Sequence, residues 1–599
     1  KAADFDISRG ADLTATRVGP TGLIEKGREN KFLYSTNFSK DIGTWGHNGL
    51  SSVQGIHNSL GQEGYDGTNN ASYIRAETND GIHKVLLSAQ AGVSLDSTAI
   101  QTISIHAKPL GYTFLKIGTE NDAQEAYFDL ANGTVGTIGS DVIDAKITPA
   151  GNGYFRCSMT VNTDQAINRI DFNIALEDNN DSFTGDPNRG GTNNGGIFIQ
   201  DAQWELGFGP TEIISSNGSA GTAGIKEDEP RFDYPVAGGP PSLLLEPEAI
   251  NIVTHSEGIT LAVKQGTALM ASAPTEVSPD GRTGGVVQAS NLQGATGDRA
   301  KVGLSSITGG DTVSGYFYIK GDSGKTINVT LKRNPDGVSP HRGDTIIHTC
   351  DGEWQKVGPI ENVTTHTDNT AVALFLVNAT DGSDTLDSCL LWGYQIEKTS
   401  FSTSYIPTHG VIGTRSVDNV AALDTSGFSF GTTCTIFFEG IINKPTASHV
   451  RPVTMFGSHG SPTTAERYLL FGGTFSGSTY TLTSKHNTTP SSSLVETSLT
   501  KAGLTIGAKV KCASVFSGTS FKFFVNGALA DSGGTATVTA ASIFNSLDLS
   551  QITGDQNHAV GSIILWGSAV SNLDALVLTD TNYGSYSEMV NSLSYTSHG

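Results

Sequence analysis

Short alternating runs of apolar and polar residues, each broken by Gly, Asn, Asp or Ser, recur along the whole chain. They constrain its fold more than any other feature. Thr102-Ile103-Ser104-Ile105-His106-Ala107, Gly315-Tyr316-Phe317-Tyr318-Ile319-Lys320 and Ser520-Phe521-Lys522-Phe523-Phe524-Val525 are typical. A period of two places alternate side chains on opposite faces of a sheet. Helical periodicity is rare; the stretch from Leu573 to Leu578 predicts one short helix. Charged residues make up 16% of the chain, too few for the solvent faces of many helices. Gly is 72 of 599 residues but Pro only 20, so the glycines mark turns rather than a disordered tract. The expected fold class is all-β, tandem antiparallel β-sandwiches with turn signals about every 8–12 residues.

A chain of 599 residues exceeds one hydrophobic core, and about 150 residues per domain gives three or four domains. Lys and Arg total 37 against 59 Asp and Glu, a net charge of −22. Such a surface repels phosphate backbones, so no nucleic-acid partner is expected. Docking on anionic lipid is disfavoured for the same reason. No run of about 18 apolar residues occurs, so no membrane insertion is expected. No apolar segment follows Lys1, so no secretion signal is expected there. Five cysteines are too few for a disulfide scaffold. Each sits in or beside apolar strand-like text and is expected to be a buried free thiol.

Two segments read as copies of one design. The first has strand-like runs at 102–108, 112–117, 152–157, 170–176 and 196–205. The second has them at 313–320, 325–331, 351–356, 371–377 and 389–397. An aromatic follows a Gly turn at Tyr154 and near Gly352 at Trp354, and each copy closes on Gln-x-Glu, Gln203–Glu205 and Gln395–Glu397. Two tandem sandwiches explain this order. The last third differs. It opens with Cys434-Thr435-Ile436-Phe437-Phe438-Glu439-Gly440 and contains an Asn526-Gly527 hairpin signal. Gly-, Ser-, Pro- and acid-rich text at 217–255 and the stretch 409–425 are read as linkers.

Three groups of residues carry a resemblance. Thr14-Ala15-Thr16-Arg17-Val18-Gly19-Pro20-Thr21-Gly22-Leu23-Ile24-Glu25 is one. Pro230-Arg231-Phe232-Asp233-Tyr234 with Ser242-Leu243-Leu244-Leu245-Glu246-Pro247 is another. The third is Trp392-Gly393-Tyr394-Gln395-Ile396-Glu397 with Thr403-Ser404-Tyr405-Ile406-Pro407-Thr408. Together they resemble framing motifs of bacteriophage tail-fibre and related virion proteins. The resemblance implies an N-terminal adaptor segment at 1–30 and jelly-roll β-sandwiches at 31–216 and 256–408, similar to carbohydrate-binding modules. It also implies a concanavalin/laminin-G-like sandwich at 426–599. In that family the first motif usually runs directly into the second. Here the whole first sandwich separates them, as an inserted or duplicated module would.

What the resemblance implies about function is a non-enzymatic virion structural protein, a tail-fibre or appendage component that binds host-surface polysaccharide. It is expected in the virion, assembled in the host cytoplasm, beside other virion proteins and as a homo-oligomer, in that family often a trimer. A capsid-decorating or head-fibre protein without a receptor is the alternative. A glycan-degrading tailspike is the second; it would need paired acids in a cleft or a parallel β-helix, and no rung period is visible.

Sugar binding needs an exposed aromatic face with planar polar partners. Trp204, Trp392 and Trp566 lie in apolar strands and are read as core. Trp45, in the loop-like Gly43-Thr44-Trp45-Gly46-His47-Asn48, is a candidate glycan contact, although the family also has a structural Trp nearby. Arg189 and Arg467, at a loop and a strand edge, are the other candidates. Asp178, Asp181 and Asp186 form an oxygen-rich stretch that offers a structural calcium as the one cofactor, against the plainer reading of a solvated turn. It lacks the Gly and terminal Glu of an EF-hand loop. Gly427-Phe428-Ser429-Phe430-Gly431 matches a nucleophile elbow in letters, but a strand rather than a helix follows it. Gly321 to Thr326 imitates a phosphate-binding loop without its first Gly and is read as a hairpin turn. Arg342-Gly343-Asp344 is read as a turn. The 14 histidines show no paired metal-ligand spacing. No catalytic residue is assigned.

Overall fold

A computed structural model describes residues 7–9, 13–38, 45–48, 62–88, 99–162, 169–226, 229–234, 239–258, 263–265, 268–292, 299–332, 343–365, 367, 371–377, 386–421, 423–424, 433–444, 449–457, 467–487, 496–535, 544–549, 557–584 and 586–592. The fold is all-β; among the described residues every strand pairs antiparallel and there are two short helices, Asn572–Leu578 and Tyr586–Ser592.

The first sandwich lays two sheets face to face. One runs Val142–Gly151, Tyr154–Asn162, Ile100–Leu110, Gly196–Leu206, Ser72–Arg75. The other runs Thr134–Ile138, Glu125–Asp129, Phe114–Thr119, Arg169–Ala175, Asp80–Ser88, with Trp45–Asn48 and Ser182–Thr184 both on Asp80–Ser88. Ile103, Ile105, Cys157, Met159, Ile197 and Trp204 of the first sheet pack on Leu115, Ile117, Phe172 and Ile174 of the second.

The second sandwich repeats this order. Gln355–Thr364, Thr312–Gly321, Cys389–Glu397 and Val287–Ser290 stand where Tyr154–Asn162, Ile100–Leu110, Gly196–Leu206 and Ser72–Arg75 stand in the first. Gly343–Thr349, Thr326–Lys332, Ala371–Val377 and Arg299–Ser306 likewise repeat Glu125–Asp129, Phe114–Thr119, Arg169–Ala175 and Asp80–Ser88.

The duplication holds at the level of single hydrogen bonds. Asn30 donates to the carbonyls of Ala202 and Ile214 and accepts from the Phe32 and Trp204 amides. Asn251 does the same with Tyr394, Ile406, Val253 and Ile396. The Gln-x-Glu ends work as clamps. Glu205 accepts from the amide and hydroxyl of Thr211, and Gln203 accepts from the Ile214 amide. Glu397 holds Thr403, and Gln395 holds Ile406, in the same way. A buried carboxylate needs such donors, because desolvation without them costs several kcal/mol.

The third sandwich pairs Thr433–Ile442, Lys509–Ser517, Ser520–Val525, Ala528–Thr535 and His558–Trp566 in one sheet. The other contains His449–Gly457, Arg467–Ser476, Thr479–Asn487, Glu496–Thr505 and Phe544–Asp548. The Asn526-Gly527 turn is as read: Val525 pairs with Ala528, and both turn residues have positive φ, 49° and 75°. The helix at Asn572–Leu578 lies over Phe437, Ala513 and Phe524, with Trp566 partly buried beside it.

Two readings are corrected. The 217–255 segment is threaded into sheets, not strung between domains. Gly221–Ala223 pairs with Arg28–Asn30, Phe232–Asp233 and Ser242–Leu245 join the third sandwich, and Ala249–Asn251 joins the second. The apolar run Leu243–Leu245 needs a core, and Leu243 and Leu245 find it there. Likewise, Gly321 to Thr326 is no hairpin: Thr312–Gly321 and Thr326–Lys332 belong to opposite sheets, and the turn arches between them. All five cysteines are buried free thiols, as expected.

Candidate functional site

The framing motifs close a buried ionic clasp. Arg231 pairs with Asp418 and with Glu246 at 2.9 Å, and donates to the Thr16 carbonyl at 3.0 Å. Arg9 also reaches Asp418 and Arg415 also reaches Glu246. The two guanidinium groups and the Ser404 bonds overcome burial and hold Glu246 down at about 2. Asp233 accepts from the Val18 amide. A second buried set joins Lys26 to Glu257 and Asp280, with Arg282 on the same two acids. These residues tie the N-terminal hairpin to the second sandwich.

The open surface is elsewhere, on the outer face of the first sandwich's five-stranded sheet. Period-two alternation that sends Ile103, Ile105 and Ala107 inward sends Ser104, His106 and Lys108 outward. Tyr73, Phe198 and Lys108 are in register on three neighbouring strands. Tyr73 and Phe198 rings lie 5.4 Å apart, and the Lys108 ammonium sits 6.0 Å from the Phe198 ring and 5.4 Å from that of Tyr154. All three side chains of this row are partly exposed.

The next row, Gln200, His106 and Arg156, is roofed by residues 62–70. Tyr65 stacks on His106 at 3.8 Å and donates to Asp201 at 3.0 Å, and Gln200 accepts from the Tyr65 amide. Burial and the Arg156 charge hold His106 down at about 3. Burial raises Asp201 to about 6. The roof fixes the edge of the open row. Its other edge is the loop after Thr184: Tyr73 donates to the Asn193 carbonyl, and Arg75 to the Asn193 side chain at 2.8 Å.

Arg189 lies on that same loop, exposed, 4.9 Å from the Tyr112 ring and bonded to the Gly111 carbonyl. It therefore borders the row. Trp45 does not. Its strand lies at the sheet edge on Asp80–Ser88, but the residue is 2% exposed, and its ring packs 5.2 Å from Phe32 and 5.1 Å from Phe38, donating to the Tyr34 carbonyl. A ring in the core has no face for a sugar, so Trp45 is corrected to a structural residue. Arg467 begins a strand of the third sandwich, and its side chain lies outside the described residues. So do the Gly427–Gly431 stretch and Arg342.

The three aspartates do not converge. Asp178 accepts from the amide and hydroxyl of Thr137, Asp181 faces the Lys116 ammonium at 3.1 Å, and Asp186 accepts from the Asn188 amide. Lys116 takes the place a cation would need at Asp181. Among the described residues no group of three His, Cys, Asp or Glu could hold a metal.

Sequence reasoning missed Tyr73 and Phe198 because they sit in strands like those of the core. The signal was their parity: each is out of phase with the buried Ile74, Ile197 and Ile199. In the second sandwich the same face is covered. Trp392, the counterpart of Gln200, is 0% exposed beneath Ile24, Val286 and Tyr405.

No family model matches the chain, and no curated protein matches it. Similar solved structures include the Ruminococcus gnavus sialidase CBM40 bound to α2,3-sialyllactose, at 12% identity, covering 26% of this chain and 92% of that one, TM-score 0.21. The tandem CBM22 domains of Paenibacillus barcinonensis Xyn10C match at 11% identity over 65% of this chain and 99% of theirs, TM-score 0.20. Mouse laminin α1 domains LG4-5 match at 10% over 55% and 92%, TM-score 0.18. At such scores these likenesses assign neither family nor ligand.

Proposed function

We propose that this chain is a structural component of a bacteriophage virion, a tail-fibre or other appendage protein, whose sandwiches attach to host-surface glycans. The framing motifs support the virion reading. The observation that carries glycan attachment is the open Tyr73–Phe198–Lys108 row on a rigid sheet face. Aromatic faces take the apolar side of a pyranose, and the neighbouring Lys108, Arg75 and Arg189 supply donors for its hydroxyls. One such row binds weakly. Copies of the chain on one particle multiply it, raising avidity by about 10²–10⁴. The protein acts by holding surfaces at fixed spacing and performs no chemistry.

A glycan array probed with the full chain tests this. Binding is expected to a defined set of host surface sugars and to fall about tenfold or more in Phe198→Ala and Tyr73→Ala, with folding unchanged. Immunolabelled particles are expected to carry the chain on an appendage. Absence of array binding, with label on the capsid surface, would replace attachment by decoration.

A further inference from the structure

A cleft of about 450 Å³ opens where the second sandwich meets the third. Its volume lies within the range of about 300–1,000 Å³ common for small-ligand sites. Tyr318 and Lys356, paired across two strands of the second sandwich, form part of its wall. Glu361 and Ser402 line it from the same side, Asp233 from the strand that edges the third sandwich's sheet, and Asn443, Lys444 and Asn557 from the third sandwich itself.

Comparison of the two copies shows what is unusual here. Lys356 stands where Arg156 stands in the first sandwich. Arg156 is spent, bonded to the Thr211 carbonyl and the Ser104 hydroxyl. In the second copy Tyr316 replaces Ser104, and its hydroxyl donates to the carbonyl of Thr403, the counterpart of Thr211. The ammonium of Lys356 is thus released. It lies 3.7 Å from the Tyr316 ring, is exposed, and has no ion-pair partner among the described residues. Lys444 has none there either. Arg17 is paired with Glu25, and Glu246 with Arg231 and Arg415. Lys356 thus lies in the field of both Asp233 and Glu361, and Lys444 in that of Glu361; among the described residues each acid accepts one backbone amide, at 2.7 and 2.8 Å. The Ser402 hydroxyl is buried without a partner among the described residues. A bare anion would meet the two carboxylates, and a neutral sugar would leave the ammonium groups unused.

We propose that this cleft binds an anionic sugar residue, with its carboxylate or sulfate on Lys356 and Lys444, its hydroxyls on Asp233, Glu361 and Ser402, and its ring beside Tyr318. The site is separate from the Tyr73–Phe198 row, so either can fail alone. Isothermal titration of the full chain with galacturonate, galactose 6-sulfate and galactose tests it. At least one acid is expected to bind about tenfold tighter than galactose, and the two acids identify the anion. Added salt is expected to weaken the acid only. Lys356→Met and, independently, Lys444→Met are expected to remove that preference with an unchanged circular dichroism spectrum, while Phe198→Ala keeps it. Equal binding of galactose and both acids, no binding of any, or full preference retained in both folded lysine variants would overturn the proposal.

Discussion

His558 shows how strongly this interior resists charge. It pairs with Leu245 across the join between the 242–245 strand and the third sandwich, and its side chain is fully buried. Burial holds its imidazole at about 4, below the ordinary 6.5. The unfolded chain takes up the proton first as pH falls, so stability is whole above about 6.5 and drains away toward 4. At pH 5 the loss is about 2 kcal/mol for one such histidine. His409 in the second sandwich, held at about 3, has the same sign. The thermal midpoint is therefore expected to drop between pH 7 and pH 5, and to drop less in His558→Gln. Calorimetry at the two pH values checks both, and a midpoint indifferent to pH would contradict the argument. The Arg231 clasp makes the complementary case. Removing the guanidinium leaves Asp418 with Arg9 and Glu246 with Arg415 among the described ion pairs. Arg231→Met is expected to cost about 2–4 kcal/mol in urea unfolding, because the buried Thr16 carbonyl and the Asp418 and Glu246 carboxylates each lose a charged donor.

At the scale of elements, the duplicated sandwiches predict that equivalent residues carry equal weight. Asn30 and Asn251 each satisfy two carbonyls and two amides at the mouth of a sandwich. Asn30→Ala and Asn251→Ala should each destabilise their own sandwich by about 2–4 kcal/mol, because several buried backbone groups lose partners at once. Hydrogen exchange resolved by segment would show each loss in one sandwich only. The copies were legible in the sequence because strand order and the Gln-x-Glu ends survive divergence. The Asn was not, since a single Asn before an apolar run looks like any turn residue until the carbonyls it spans are seen. The same limit explains Trp45. A Gly-rich neighbourhood reads as a loop, yet Gly46 lies in a strand against Leu86, where a Cβ would come within 3.0 Å of that side chain. Phe198 fails in the opposite direction: strand text gives parity but not which face is left uncovered, and only the reach of residues 62–70 decides that.

The whole molecule is interlocked rather than strung. Strand Ile7–Ser8 pairs with Asn419–Val420, and Ser242–Leu245 pairs onto His558–Trp566 of the third sandwich while Ala249–Asn251 enters the second. A boundary drawn at 426 thus cuts through a sheet. A fragment 426–599 would expose the backbone edge of His558–Trp566 and lose Leu243 and Leu245 from its core. An unpaired, apolar edge strand recruits another chain. The fragment is expected to self-associate in sedimentation velocity and to melt below the third sandwich of the full chain. A fragment that keeps 239–248 tethered beside it is expected to recover both. A well-behaved 426–599 monomer with the parent melting temperature would show that the strand only leans on the sheet. The distinction bears on function, because surfaces fixed to one another present their binding faces at constant spacing, and multivalent attachment gains most when that spacing does not drift.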